Sequence, residues 1–466
     1  MRELMQFCLS GVVSADTMRV VDRNADAYGV SAGQRMESAG SALASVVRES
    51  APGRVLILCG GGNNGGDGMV AARYLCRDAD TEVICCGMPG TPESRCAFAA
   101  LAGCPVAVRV VETAAEVQEC AGTVAAADVI VDALLGTGAR LPLREPYASL
   151  VALMNGSAAR VVSCDLPTPS ARSDMIAAFH LAKTPEARVC DIGIPPAAEV
   201  FCGEGELLLV PRKPAGAHKG AGGSVLVVGG GPYQGAPFLA GVAALRAGAD
   251  VVRVAAPVDG FMPDVILDRL PGDHVSGEHA AHLCDLARQA DVVVCGPGLG
   301  TDPESLRVAG EVVRAAKRAV VDADLLRSPL PCAREQTIFT PHAGEFARVF
   351  GEVPALSLAE RGVQVRTAAA AAGGVVLLKG EVDTISDGVR VRLNRTGAPG
   401  MTTGGTGDVL SGCCGGLLTR TDALPSAAAA AFAIGKAGAA ADAESGDGMT
   451  ATDLLRKLGC VLYREV

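Results

Sequence analysis

Short apolar runs alternate along the chain with alanine-rich stretches of helical spacing, a pattern typical of parallel β-α-β units. In the first half the runs that predict strands are residues 55–59, 82–86, 106–111, 129–133 and 161–165. In the second half they are residues 224–228, 251–255, 292–295, 320–322, 375–379 and 389–393. The pattern predicts an α/β fold in which helices cover both faces of mainly parallel sheets.

A stretch without helical period separates the two series. Residues 203–222 are rich in Gly, Pro and Lys, which predicts a linker. A chain of 466 residues is also long for a single domain. We therefore expect two three-layer αβα domains, 1–210 and 211–466.

The composition of the chain excludes several classes of protein. Hydrophobic residues make up 49% of the chain, enough for two cores, and the net charge of -10 with no basic stripe argues against a nucleic-acid partner. The 17 cysteines lie scattered in apolar runs without a CxxC pair, as expected of reduced thiols that serve as small core residues. Since neither a signal-peptide pattern nor a membrane-spanning run is visible, we expect a cytoplasmic protein with no membrane partner.

The first predicted strand leads into a glycine-rich turn and a helix, in the letters VLILCGGGNNGGDGMVAARYL. The turn has GxGxxG spacing from Gly60 to Gly65, but the next strand lacks the terminal acidic residue that holds the ribose in NAD-dependent dehydrogenases. Hydride transfer is therefore disfavoured. Asn63, Asn64 and Asp67 at a strand end and helix start still predict a ligand site with free N–H groups for a phosphate. The alternative is a plain connector whose Asn residues tolerate left-handed dihedral angles.

Two further strand ends carry polar residues. Asp132 and the loop 136–142 follow the fourth predicted strand, and Asp165 and Thr168 follow the fifth. Because open α/β sheets bind ligands at the carboxyl ends of their strands, these groups predict one shared site.

This constellation resembles the NAD(P)H-hydrate epimerase family over roughly the first two hundred residues, with NNGGDG as its most specific motif. The resemblance implies a Rossmann-like domain that inverts the hydroxyl-bearing carbon of hydrated NADH or NADPH. The residues it implies for the cofactor's phosphates and ribose are Asn63, Asn64, Gly65, Gly66, Asp67, Gly136, Thr137, Gly138, Ala139, Arg140, Leu141 and Pro142. Asp165 would lie at the reacting ring, and Asn64, Asp132 and Thr168 would hold a potassium ion, for which hard oxygen ligands are suitable.

The chain departs from that family after Asp165. Thr168 and Pro169 stand where the family has Ser-Gly, and the acidic loop that follows is shortened to SARS. Thr168 keeps a hydroxyl for an ion, but part of one wall of the site is lost. The alternatives are thus an active epimerase and a binding module without catalytic activity.

The segment NRTGAPGMTTGGTGDVLSGCCGGLL is the strongest motif in the chain. Gly404, Gly405 and Gly407 permit a tight turn, and Asp408 follows in the first turn of a helix. Free N–H groups there would stabilise a transferred phosphoryl group, and the carboxylate can take a proton from an attacking hydroxyl. The turn is not a Walker A loop, because Gly-Lys-Ser/Thr is absent. The alternative is a turn whose Asp merely suits the helix dipole.

The motif resembles the ribokinase-like superfamily and, within it, the ADP-dependent NAD(P)H-hydrate dehydratases, from roughly Lys213 to the end. The supporting motifs, in order, are HKGAGG, GGPYQGAPFLAGVAALRAGA, CGPGLG, VVDAD, TPHAGEF, LLKG and GMTTGGTGD. By this resemblance the hydrated dinucleotide would contact Ala236, Gly298, Gly300, His342 and Asp408, with Asp408 at the reacting centre. The adenine nucleotide would be held by Lys379, Gly380, Glu381, Val382, Asp383 and Gly407.

The chemistry implied is phosphorylation of the ring hydroxyl by ADP followed by loss of phosphate, with magnesium neutralising the nucleotide's phosphates. Glu345 is either a holder of magnesium or water or a solvated residue at a helix start. The leading hypothesis is a bifunctional repair enzyme whose substrates are hydrated NADH or NADPH and ADP. We also expect it to form a homo-oligomer. The alternative is a small-molecule hydroxyl kinase with a non-catalytic N-terminal nucleotide-binding module.

Overall fold

The computed structural model describes residues 1–218, 220–260 and 262–463. The chain forms two compact units: the first unit is Leu9–Ala198, and the second unit combines Met1–Cys8 with Glu199–Val466. The division therefore falls before the linker that the sequence predicts.

The first unit contains a seven-stranded sheet in the order β3-β2-β1-β4-β5-β6-β7, all parallel. Its strands are β1 (Arg54–Cys59), β2 (Asp80–Cys86), β3 (Ala107–Val111), β4 (Val129–Ala133), β5 (Arg160–Cys164), β6 (Met175–Phe179) and β7 (Arg188–Cys190). Its helices are α1 (Ala15–Asp26), α2 (Ala32–Arg48), α3 (Asn63–Leu75), α4 (Pro92–Leu101), α5 (Ala114–Glu119), α6 (Ala121–Ala126) and α7 (Tyr147–Gly156). The helix α8 (Pro196–Val200) spans the division between the units.

Alternation along β1 explains the three layers of the first unit. Val55 and Ile57 are buried on one face among side chains of α1, α2 and α3, whereas Leu56 and Leu58 are buried on the other face with side chains of α5, α6 and α7. A strand that is apolar on both faces is what a parallel sheet between two helical layers requires. The predicted αβα architecture is confirmed.

The second unit contains a nine-stranded sheet in the order β10-β9-β8-β11-β12-β13-β14-β15-β16, in which β15 alone runs antiparallel to its neighbours β14 and β16. Its strands are β8 (Ser224–Val228), β9 (Val251–Ala256), β10 (Ile266–Arg269), β11 (Val292–Cys295), β12 (Arg318–Val321), β13 (Gln336–Phe339), β14 (Val375–Leu378), β15 (Asp383–Ser386) and β16 (Val391–Asn394). Its helices are α9 (Ala236–Arg246), α10 (Ala280–Gln289), α11 (Pro303–Ala315), α12 (Ala343–Phe350), α13 (Leu358–Ala372), α14 (Thr406–Leu418), α15 (Ala423–Ser445) and α16 (Ala451–Tyr463).

Small residues let the helices of the second unit approach closely. A Cβ added at Gly412 of α14 would lie 2.1 Å from the carbonyl oxygen of Ala240 on α9. The alanine-rich α15 is buried beside them. Within the part of the chain that the structure describes, the stretch Ala423–Gly448 is the single helix long and apolar enough to cross a membrane, and 78% of its most apolar window is buried, as in a core helix.

Two segments outside the regular series also pack into the second unit. The 3-10 helix Arg2–Phe7 buries Phe7, whose ring lies 2.4 Å from where a Cβ of Gly362 on α13 would be. The 3-10 helix Glu204–Leu209 lies within the predicted linker, and its Glu206 is buried in an ion pair with Arg392 of β16. A short 3-10 turn has no 3.6-residue period, so the sequence pattern did not reveal it.

Candidate active sites

The first unit has a cavity of about 510 Å³ at the carboxyl ends of its strands. The cavity opens where the strand order reverses between β1 and β4, which is the usual ligand position in an open α/β sheet. Predicted residues that line it are Asn63, Asn64, Asp67, Gly136, Thr137, Gly138, Ala139 and Asp165. Of the described residues, Gly65, Gly66, Arg140, Leu141 and Pro142 were also predicted but do not line it, and Leu141 is exposed at the surface.

The glycines of the first turn are needed for close backbone approach. A Cβ at Gly60 would lie 1.8 Å from the carbonyl oxygen of Leu134, and one at Gly65 would lie 1.9 Å from that of Gly60. Helix α3 then begins without a side-chain cap, which leaves its first N–H groups available to an anion. Gly65 thus acts through packing, whereas Asn63 beside it faces the cavity.

The side chain of Asp165 is fixed by two contacts at the end of β5. Lys183 Nζ lies 2.5 Å from Asp165 Oδ1, and the same oxygen accepts a hydrogen bond of 3.1 Å from the backbone N–H of Phe179. Lys183 is nearly inaccessible to solvent, with 4% of its side chain exposed, and it also donates to the Phe179 carbonyl. The backbone of Asp165 has φ of +63°, a left-handed conformation that costs a non-glycine residue energy and is common at functional sites.

Three further charged groups line this cavity besides Asp165 and Lys183. Burial raises the pKa of Asp22 to about 6, against the opposing charges of Arg35 and Lys183. Burial, followed by the charges of Asp165 and Asp22, raises the pKa of Asp67 well above its usual range. Sequence reasoning did not identify Asp22 of α1, Arg35 of α2 or Lys183 after β6, because no motif spacing joins these segments to the glycine-rich turn.

The residues implied for a potassium ion come together in part. Thr168 donates to Asp132 through its hydroxyl at 2.7 Å and through its backbone N–H at 2.8 Å, and both side chains are buried. Burial raises the pKa of Asp132. Within the described residues, Asn64 Nδ2 is buried without a hydrogen-bond partner. Since the amide nitrogen and oxygen can be exchanged by a flip, that position could equally present an oxygen. The donor set of hard oxygens fits an alkali cation.

In the second unit, five neighbouring parallel strands end at one edge of the sheet. The loops that follow β8, β11, β12, β13 and β14 carry the motifs GGPYQG, CGPGLG, VDAD, TPHAGEF and LLKG, in that order. The parallel register therefore places all five motifs on a common side of the second unit. Lys219 of the HKGAGG motif lies outside the described residues.

The glycine loops after β8 and β11 pack on one another. A Cβ at Gly298 would lie 2.3 Å from the Tyr233 carbonyl oxygen and 3.1 Å from the Cβ of Ala236, and one at Gly300 would lie 2.9 Å from Pro232. Both glycines have positive φ. The structure thus brings Ala236, Gly298 and Gly300 together as the loops that the resemblance implied for the dinucleotide.

Lys379 lies near the start of α14, among carboxylates that come from three different parts of the chain. Its Nζ is 2.9 Å from Asp322 Oδ1 and 4.0 Å from Glu345 Oε2, and it lies 3.5 Å from where a Cβ of Gly407 would be. Burial opposes the charge of this lysine, but the carboxylates of Asp322, Glu345 and Asp408 outweigh burial and raise the pKa of Lys379. Asp322 is buried and was not identified from the sequence.

The carboxyl group of Asp408 has a raised pKa. Burial, and then the charge of Asp322, raise its pKa to about 7 against the opposing charge of Lys379. A carboxyl group that titrates near neutrality is suited to exchange protons with a substrate hydroxyl. Its helix begins after Gly405 in a left-handed conformation with φ of +92° and no side-chain cap, so N–H groups remain free for a phosphoryl group.

A second cavity, of about 630 Å³, lies beside this helix start. All six residues predicted for the adenine nucleotide line it: Lys379, Gly380, Glu381, Val382, Asp383 and Gly407. Asp383 shapes the turn by accepting from Gly380 N–H at 3.0 Å and from Asn394 Nδ2 at 2.9 Å, and burial raises its pKa to about 6. The opposite wall, which includes Arg395 and Met401, was not predicted.

His342 and Glu345 cap the start of α12. His342 Nδ1 accepts hydrogen bonds from the N–H groups of Gly344 and Glu345, at 3.0 and 3.2 Å. Glu345 returns one by accepting from His342 N–H at 2.8 Å. Glu345 is buried, so the solvated alternative is wrong, because the capping contact and Lys379 draw it inward. The ring of His342 remains 60% exposed and available to a ligand.

The comparisons with known proteins agree with this geometry. Residues 225–459 match the family model described as NAD(P)H-hydrate dehydratase, and residues 32–180 match the one described as YjeF-related protein N-terminus. The chain is 46% identical over 460 residues to the bifunctional NAD(P)H-hydrate repair enzyme Nnr of Methanospirillum hungatei, covering 98% of this chain and 95% of that relative. It is 42% identical over 491 residues to the protein of the same name from Pyrobaculum aerophilum, covering 97% and 98%.

Among solved structures, an ADP/ATP-dependent NAD(P)H-hydrate dehydratase from Bacillus subtilis, co-crystallised with ATP and Mg²⁺, is 27% identical with a TM-score of 0.48, covering 56% of this chain and 97% of that chain. Two sheets, each with a glycine-started helix and an acidic residue at its carboxyl edge, define a two-domain α/β enzyme. By its family matches and its relatives along nearly the whole length, the chain belongs to the family of bifunctional NAD(P)H-hydrate repair enzymes.

Proposed function

We propose that the second unit dehydrates hydrated NADH or NADPH with ADP as co-substrate and releases AMP and phosphate. The observation that carries this proposal is the position of Lys379, which lines the nucleotide cavity and at the same time lies at the helix start that bears Asp408. The nucleotide's phosphates and the reacting carboxyl group therefore meet at one point.

The reaction balances with the groups present. The ring hydroxyl attacks the terminal phosphorus of ADP, its proton passes to Asp408, and AMP leaves with the bridging oxygen. Phosphate then departs with the electrons of the carbon–oxygen bond, the adjacent ring carbon loses a proton, and the dihydronicotinamide is restored. Phosphate is a far better leaving group than hydroxide, which explains the need for a nucleotide.

The protein's own share of this chemistry is electrostatic. The uncapped N–H groups of α14 and Lys379 would face the charge that develops on the transferred phosphoryl group. Within the described residues, no set of three or more His, Cys, Asp or Glu side chains is placed to hold a metal ion, so a magnesium ion would be held chiefly by the nucleotide's phosphates. Bound in that way it would neutralise part of their charge.

We further propose that the first unit epimerises the same substrate at its 510 Å³ cavity. The hydroxyl leaves the carbon beside the ring nitrogen as water, and water returns to the opposite face. The pair of Asp165 and Lys183 would deliver the proton that the departing hydroxyl oxygen takes up and would take one back from the water that returns. A potassium ion held by Asn64, Asp132 and Thr168 would add positive charge beside the bound cofactor.

The test follows the absorbance of the reduced nicotinamide ring. Purified protein is incubated with the S form of hydrated NADH and ADP, and the absorbance should recover as AMP appears in equal amount. A stable phosphorylated product without recovery would indicate a hydroxyl kinase instead, an alternative that the named relatives do not favour. For the first unit, R/S interconversion no faster than the spontaneous rate would contradict the epimerase and favour a non-catalytic module.

We also propose a cytoplasmic location and a homo-oligomeric state for this protein. All 17 cysteines are free thiols, which supports a reducing cytoplasm. Exposed apolar side chains, Val353 at 78% and Leu356 at 95%, support a homo-oligomer, which sedimentation equilibrium would test.

A further inference from the structure

The nucleotide cavity has a second cation at its edge. Among the described side chains that line it, only Lys379 and Arg395 are cationic, whereas Glu381 and Asp383 are acidic. The charge of Lys379 is shared with Asp322 at 2.9 Å. An anionic polyphosphate in this cavity therefore needs further positive charge, and Arg395 is placed to provide it.

Arg395 is oriented by an aromatic ring from another part of the chain. Its guanidinium carbon lies 4.7 Å from the centroid of the Phe201 ring, a cation–π distance that favours a flat, stacked guanidinium. Phe201 is itself buried, with 5% of its surface exposed. A stacked guanidinium presents its N–H donors sideways in a fixed plane, which suits phosphate oxygens.

Phe201 is held in place by the strand that leads to Arg395. It forms a parallel bridge with Leu393, and the next residue, Cys202, donates its N–H to the Leu393 carbonyl at 2.7 Å. Arg392 donates to the Phe201 carbonyl at 3.1 Å and forms a buried ion pair with Glu206. The segment 199–206 is thus fastened to β16, just before Arg395.

The backbone at Arg395 is also fixed from its other side. Asn394 donates to Asp383 at 2.9 Å and to the Ala431 carbonyl at 3.1 Å, and Thr396 donates to Asn394 Oδ1 at 2.8 Å. With its flanking residues held in this network, the direction of Arg395 depends on what its side chain packs against. The Phe201 ring is one such neighbour.

We infer that Arg395 binds the anionic phosphates of the adenine nucleotide and that Phe201 is the positioning residue that orients it. The inference rests on the proposed use of this cavity for ADP. It adds a residue that lies before the matched dehydratase region, 225–459, to the construction of the nucleotide site.

The experiment measures ADP binding to the full chain by titration calorimetry and the KM for ADP in the dehydration assay. Arg395→Gln should weaken ADP binding about 10-fold, since a charge-assisted contact to phosphate is lost. Phe201→Leu keeps the apolar bulk but removes the ring, and should weaken binding about 3-fold. Both losses should fall on the KM for ADP, and the KM for the hydrated dinucleotide should not change.

The double variant Phe201→Leu/Arg395→Gln tests whether Phe201 affects ADP binding through Arg395. If Phe201 acts through Arg395, Phe201→Leu should have no further effect in the Arg395→Gln background. Arg395→Lys, which keeps the charge but not the planar stack, should fall between the wild type and Arg395→Gln. The matched control is Arg390→Gln on the same hairpin, an arginine that pairs with Asp387 and does not line the cavity; it should bind ADP like the wild type.

Three outcomes would overturn the inference. Wild-type affinity in Arg395→Gln refutes the phosphate contact, and this variant at an exposed position should fold even if Phe201→Leu does not. An equal loss from Phe201→Leu with and without Arg395 refutes the positioning role and indicates a general structural one. Absence of ADP binding in the wild type refutes the proposed function of the cavity together with this inference, whereas the first two outcomes leave that function intact.

Discussion

The two candidate active sites use the same framework and differ in what their lysine pairs with. Each has a glycine-rich turn where parallel strands end at the carboxyl edge of the sheet, an uncapped helix start and an aspartate for which we propose a catalytic role. In the first unit the lysine contacts that aspartate directly, with Lys183 Nζ 2.5 Å from Asp165. In the second unit Lys379 pairs with Asp322, and the pKa of Asp408 rises to about 7. The contrast indicates that the same arrangement of turn and helix start can accompany two kinds of aspartate. One is fixed in an ion pair, and the other titrates near neutral pH.

The largest expected effect is that of Asp408→Asn. Because this side chain is proposed to take the proton of the attacking hydroxyl, its loss should lower ADP-dependent dehydration by about 10³-fold. Calorimetry should show ADP affinity within about 2-fold of the wild type, since the nucleotide contacts remain. Epimerisation is the internal control and should not change. Substantial dehydration by this variant would contradict the assigned role.

The corresponding change in the first unit is Lys183→Met. It leaves Asp165 without its cation in a buried place, and the rate of R/S interconversion should fall by about 10²-fold, measured by chromatography of the two epimers. Lys183→Arg, which keeps the charge, should recover part of the rate. Dehydration of the S form with ADP serves as the control for folding. An unchanged epimerisation rate would show that the ion pair is not part of the mechanism.

The pH dependence should separate the two arrangements. Asp408 must be ionised to accept a proton, and its pKa is raised to about 7, so kcat/KM for dehydration should rise with pH up to about 7 and then level off. Lys379→Met removes an opposing charge and should move this limb to higher pH. Asp322→Asn removes a like charge and should move it to lower pH. A wild-type limb near pH 4 would show that Asp408 titrates as an ordinary carboxyl group.

The smallest effects concern the packing of the two glycine-started helices. Gly412→Ala would place a Cβ 2.1 Å from a backbone oxygen, whereas at Gly68 of α3 the nearest atom is the Cβ of Ala133 at 2.7 Å. We expect both substitutions to destabilise the protein by about 1–3 kcal/mol, Gly412→Ala more than Gly68→Ala, because backbone yields less than a side chain. Gly122→Ala on α6, with nothing within 4 Å, should be neutral in urea unfolding. Equal stability of all three would contradict the close packing.

Sequence patterns predicted the fold well where strands are apolar on both faces. The predicted strands at 129–133, 224–228 and 292–295 have the observed bounds. The short strands β6, β7, β10, β13 and β15 were missed. The strands β7, β10, β13 and β15 carry polar side chains, so no unbroken apolar run marks them, whereas β6 (MIAAF) is apolar throughout and was missed nevertheless. Their pairing is decided by neighbours that are distant in sequence.

The candidate sites were likewise predicted only in part. Motifs identified groups that are contiguous along the chain, such as residues 379–383, all of which line the nucleotide cavity. They did not reveal Asp22, Lys183, Asp322 or Arg395, whose partners lie in other loops and are brought near only by the strand order. The roles of the site residues themselves stay predictions until the variants are measured.

The packing of Phe7 against Gly362 has a consequence for how the polypeptide is made. In chain order the first unit interrupts the second, since residues 1–8 belong with residues 199–466. Residues 1–8 are translated before the first unit, yet their docking place on α13 follows only after some 350 further residues, or on the order of tens of seconds later. The first unit can therefore reach its native state during translation before the place where residues 1–8 dock on the second unit has been made.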